Sequence, residues 1–83
     1  MRQTPEFFGE TELELVYMAR RLRNALKLEK AFTDAGLDYL VETGTYPGGF
    51  IFKRELTGAF FYVEPGRATE ARALIHEAGM KAY

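Results

Sequence analysis

Gly58-Ala59-Phe60-Phe61-Tyr62-Val63 sets three aromatic rings and a valine in a run too short for a helix. Aromatic and β-branched side chains fit a pleated surface, so the stretch predicts a central strand. Alternation along a strand puts Phe60 and Tyr62 on one face and Ala59, Phe61 and Val63 on the other. A strand apolar on both faces needs cover on both. The helical sequence in the chain is enough for one face. The second cover is therefore expected from another copy of the chain, with Phe60 and Tyr62 at the interface between copies.

Size makes the same demand. With 83 residues the chain is one domain, near the length at which a single core gives marginal stability without disulfides, metal or oligomerisation. It has no cysteine and one histidine, which excludes a disulfide framework, thiolate chemistry and the usual zinc ligand sets. Oligomerisation is the staple that remains, no cofactor is expected, and any site has to work with oxygen groups and arginine. Eleven basic against twelve acidic residues give a net charge of -1 and a pI of 5.8, so no global field draws the protein to nucleic acid or anionic lipid. No apolar run approaches the roughly 20 residues of a membrane span. No basic-then-apolar segment opens the chain as a signal peptide would, and the expected location is the cytoplasm.

Residues 1–11 show neither helical nor strand periodicity and read as an N-terminal extension, a mobile tail unless Phe7 and Phe8 anchor it. Residues 12–83 form the domain. Glu12 and Glu14 alternating with Leu13, Leu15 and Tyr17 predict a first strand over 12–18. Leu22, Ala25, Leu28, Phe32 and Ala35 then recur near every 3.6 residues, the buried stripe of a helix over 22–35. Gly36 is placed to close it as a left-handed cap, with Leu37 making the accompanying apolar contact. A second strand is expected over 37–43. The segment Gly44-Thr45-Tyr46-Pro47-Gly48-Gly49 reads as a loop by composition. A short strand over 50–55 and a turn at Leu56-Thr57-Gly58 lead into the aromatic strand. Ala68, Ala71, Leu74, Ile75 and Ala78 mark a second helix over 67–78, capped by Gly79, and residues 80–83 are left as a short edge strand or a packed end.

The resulting order is a split βαβ, or ferredoxin-like, α+β plan, with both helices on one face of an antiparallel sheet. The motifs Val16-Tyr17-Met18-Ala19, Ala35-Gly36-Leu37 and Tyr62-Val63 running into Ala68, Ala71, Arg72, Ala73 and Leu74 resemble those of small prokaryotic signal-transducing proteins with a PII-like, ferredoxin-type fold. The likeness covers most of residues 12–80. It implies an oligomer of that fold with a regulatory role. The chain departs from the family where Arg20-Arg21 replace a proline and asparagine turn and where Glu64 precedes Pro65. In a PII-like plan the loop over 44–49 is the effector arm, against its plain reading as a hairpin connection.

Arg20, Arg21 and Arg23 cluster where the first strand enters the first helix, at the end of a helix dipole that disfavours cations and attracts anions. A small anionic ligand resolves that conflict. So does pairing in solvent with Glu10, Glu12 or Glu14. Arg67, beside Gly66 at the start of the second helix, is a further candidate for the anion site. His76 suits a helix end, and Asp34 and Asp38 show no acid–base spacing. An RNA recognition motif would want a basic residue where Thr57 stands, and an acylphosphatase-like enzyme would want a glycine-rich cradle where Ala19-Arg20-Arg21 stands. The sequence thus points to an oligomeric PII-like regulatory protein binding a small anion or a protein partner, with an interaction module lacking a ligand as the alternative. No nucleic acid or membrane partner and no enzymatic activity are expected.

Overall fold

The computed structural model describes the backbone of residues 1–48 and 54–83, and the side chains of residues 1–44 and 58–83. The order is a one-turn helix α1 (Pro5–Phe8), strand β1 (Glu14–Ala19), helix α2 (Leu22–Asp34), strand β2 (Leu40–Gly48), strand β3 (Arg54–Val63), a 3-10 turn (Pro65–Arg67) and helix α3 (Ala68–Glu77). The three strands form one antiparallel sheet in the order β1-β3-β2. The chain is thus an α+β domain with the aromatic strand at its centre.

Phe61 is fully buried near the C-terminal end of β3, opposite Tyr17 of β1 and Val41 of β2. Its ring centre lies 6.2 Å from that of Tyr17, 6.2 Å from Phe32 of α2 and 5.8 Å from Tyr39. These separations fall in the range where edge-to-face and offset-stacked rings attract. Leu28 and Phe32 of α2, Ala71 and Ile75 of α3, and Val63 complete the same cluster. Both helices therefore cover the Phe61 face. A bulge between Leu15 and Tyr17 places Val16 as the extra residue of β1, so that Val16 and Tyr17, adjacent in sequence, are both buried. The caps form as the sequence predicts. Gly36 sits at φ 71° and Gly79 at φ 80°, and the N–H groups of Leu37 and Met80 donate to Phe32 O (2.9 Å) and Ile75 O (3.1 Å).

Several expectations need correction. The predicted loop over 44–48 belongs to β2, which starts at Leu40 and not at 37. Gly44 lies opposite Gly58, where a Cβ would come within 3.3 Å of the Phe60 ring, so glycine there answers a close approach within a strand. Pro47 is tolerated because, among the described strands, β2 lies at the sheet edge and pairs with β3 alone. The turn expected at 56–58 is absent: those residues pair with Tyr46, Thr45 and Gly44 in one continuous β3. Of the short strand expected over 50–55, residues 54 and 55 belong to β3 and 50–53 lie outside the described residues, as does Gly49 of the predicted loop. Leu22 and Ala35 are exposed, because α2 starts past the end of β1 and Ala35 is already its cap.

The edges and the second face are more fully occupied than the sequence suggests. The N-terminal segment is docked: Gln3 N–H donates to Tyr39 O (2.8 Å) and Tyr39 N–H to Met1 O (3.1 Å), along the β2 side of the sheet. The chain then crosses to β1 through α1. Phe8 is buried on the way, outside the cluster that the helices cover, while Phe7 stays exposed. Leu13 reaches a shallow depression it shares with Leu40, Glu42 and Tyr62, on the face away from the helices. Phe60 and Tyr62 are half-buried within the single chain. After α3, residues 80–83 form no strand, but Tyr83 N–H donates to the carbonyl of the bulged Val16 (2.8 Å) on the outer edge of β1. Among the described residues no helix is long and apolar enough to cross a membrane.

This arrangement makes the two sides of β3 unequal. Phe61→Ala should lower the unfolding free energy by about 3–5 kcal/mol, and Phe60→Ala by distinctly less, as measured by urea denaturation. Equal losses would remove Phe61 from the centre of the fold.

Candidate functional site

β1 ends at Ala19 and α2 begins at Leu22, so Arg20 and Arg21 form the whole connection. Arg21 is extended (φ -125°, ψ 139°), and its carbonyl accepts the N–H groups of Asn24 and Ala25 (3.1 Å each). No side chain caps the helix start, and no acid stands in its first turn. The free N–H groups and the positive end of the dipole therefore face a turn that is itself cationic.

The C-terminal segment closes this corner into a cleft of about 380 Å³. Arg20, Arg21, Asn24 and Lys81 give it polar walls, and Tyr17 and Tyr83 give it aromatic ones; among the described residues no acidic side chain lines it. The volume lies within the roughly 300–1,000 Å³ typical of small-molecule sites. A second hollow, of about 170 Å³, adjoins it under the first turn of α2, bounded by Ala19, Ala25, Thr43, Gly58 and Ala59. Arg20, Arg21 and Leu22 border it as well.

Four cationic side chains away from the cleft are ion-paired. Arg2 pairs with Glu29 (3.6 Å), Lys30 with Asp34 (2.8 Å), Arg67 with Glu70 (2.6 Å) and Arg72 with Glu14 (2.6 Å). Among the described residues Arg21, Arg23, Lys27 and Lys81 have no such partner, Lys27 lying further along α2 outside the cleft. Glu14, one of the acids expected to neutralise the arginine cluster, is committed to α3 instead.

The predicted site residues do not all converge. Arg20 and Arg21 line the cleft, whereas Arg23 is exposed on α2 outside it. Arg67 lies at the other end of the sheet. Ala19 is opposite Ala59, Arg67 follows Val63, and four strand residues span roughly 13 Å. Its hydrogen bond to Glu70 raises the guanidinium pKa and lowers that of the carboxylate. A depressed carboxylate pKa gives stability present above the ordinary glutamate range and lost as pH falls through the folded value. With both groups open to water, that contribution is small. Two phenols are pushed up, Tyr39 by burial and Tyr62 by burial and then Glu42, but neither lines the cleft.

Lys81 is the site residue that sequence reasoning missed. The signal was the Gly79 cap, after which residues 80–83 turn back and Tyr83 docks on β1; a lysine two positions past that cap comes to line the same cleft as Arg20. Asp34 and Asp38 have structural partners, Lys30 and the Gln3 amide (3.1 Å), and His76 is exposed in the last turn of α3. No group of three or more His, Cys, Asp or Glu among the described residues is placed to hold a metal. No protein-family model, no curated protein and no solved structure matches the chain.

Arg21 occupies the position where Asp or Ser would satisfy the helix. Arg21→Asp should raise the unfolding free energy by about 1 kcal/mol, as measured in urea. A loss of stability would mean that the arginine is held by structural contacts.

Proposed function

We propose that this chain is a small cytoplasmic regulatory protein of the PII-like kind, which binds a small anion in the cleft between β1, the first turn of α2 and the C-terminal segment. The observation that carries this reading is the cleft itself, with Arg20, Arg21 and Lys81 gathered at an uncapped helix start. Cations there cost helix stability, and an anion reverses the sign of that interaction. The order β1-α2-β2-β3-α3, the strand order β1-β3-β2, and a C-terminal segment hydrogen-bonded to the outer edge of β1 support a ferredoxin-like plan lacking a formed fourth strand. Copies associate through the face opposite the helices, where Met18 and Leu15 lie beside Phe60 and Tyr62. A protein-interaction module without a ligand is the second reading, favoured by Leu22 and Leu26, exposed at 74% and 55% one helical turn apart on α2.

Thermal unfolding should distinguish the two readings. Saturating inorganic phosphate or acetate should raise the Tm by several degrees, given about 4–8 °C per kcal/mol for a domain of this size. Arg20→Gln with Arg21→Gln, or Lys81→Gln alone, should abolish the rise, and Arg67→Gln should leave it intact. No rise, or its loss in Arg67→Gln, would favour the interaction module. Light scattering at micromolar concentration should give a multiple of 9.5 kDa, reduced to a monomer by Phe60→Asp. A monomeric wild type would remove the assembly from the proposal.

A further inference from the structure

The hollow beside the cleft narrows the class of anion, on the premise that the cleft is an anion site. On the helix-facing side of the sheet, the layer Tyr17, Phe61 and Val41 is followed by Ala19, Ala59 and Thr43, which are in register with one another. Ala25 stands over them from α2. Four large side chains would close this end of the core; these small ones leave about 170 Å³ walled by methyl groups and backbone. Arg20 and Arg21 border both cavities, so the charged cleft and the apolar hollow meet at one rim. Leu22, mostly exposed, borders the hollow.

A bare inorganic anion would use only the charged half of this arrangement, and a neutral apolar molecule only the other. We infer that the site takes a small organic anion, a carboxylate or phosphate group carrying a short aliphatic chain or a single ring. The charged group meets Arg21 and Lys81. The apolar body lies against Ala19, Ala25 and Ala59, and Leu22 folds over it. Charge complementarity fixes the orientation, and the small size of the hollow limits the length of the body.

Calorimetric titration of the intact protein with acetate, butanoate, hexanoate and octanoate, and with inorganic phosphate against phenyl phosphate, tests this. Affinity should rise about fourfold for each methylene buried and then level off once the hollow is full. Phenyl phosphate should bind more tightly than phosphate. Thr43→Phe, at an exposed rim position, should erase these gains and leave acetate and phosphate affinities unchanged, whereas Arg21→Gln should weaken every ligand by a similar factor. Equal affinity for acetate and hexanoate, or a chain-length gain that survives in Thr43→Phe, would overturn the inference and leave the anion site standing. Binding of none of the probes would overturn both. Should Thr43→Phe fail to fold, the chain-length series on the wild type decides alone.

Discussion

The ring of Phe61 holds the structure together by meeting every layer of it. Tyr17 from β1, Tyr39 at the entry to β2 and Phe32 from α2 all close on it at centroid distances of 5.8–6.2 Å. A residue that must touch both neighbouring strands and the helix above can only sit in the middle strand. That requirement puts β3 at the centre and β1 and β2 at the edges. The edges are then managed by the chain ends, Met1 to Gln3 beside Tyr39 and Tyr83 beside Val16, which use main-chain groups that would otherwise be open to pairing with another chain.

The site follows from where this aromatic layer stops. One register step beyond Tyr17 and Phe61 the sheet carries only Ala19, Ala59 and Thr43, so the helix above has little to pack against, and its first turn, with Leu22 exposed, runs past the core. The cations sit at the same end. A helix start with acids and a capping side chain would be steadier by a few tenths to about 1 kcal/mol for each favourable group. The chain instead places Arg20, Arg21 and Arg23 there and brings Lys81 alongside. Among the described residues small side chains and positive charge coincide at this corner, and the proposed binding of a small organic anion would use both.

The sequence disclosed what depends on local chemistry. The aromatic strand, the period of both helices and the glycine caps at Gly36 and Gly79 were legible because alternation, a 3.6-residue stripe and a left-handed φ each leave a mark within a few residues. Glycine misled at 44–48 and at 58. A glycine that opens a turn and a glycine that lets a neighbouring ring lie over a strand look alike until the facing residue, here Phe60, is known. The bulge at Val16, the outward position of Leu22 and the N-terminal crossing with Phe8 buried are set by contacts between segments far apart in sequence. Of the site, the arginines were visible as a conflict with the dipole. Their separation from Arg67 and the arrival of Lys81 were not, since strand register and the docking of the last residues decide both.

The central claim is that the cleft at the α2 start is where small anions bind. Amide chemical shifts of the intact protein, followed during titration with inorganic phosphate, test it most directly. The account predicts saturable shifts concentrated at residues 21–24 and 81–83, with residues 67–70 at the far end of the sheet unmoved. Shifts that are largest at 67–70, or that drift without saturation across the whole surface, would contradict it.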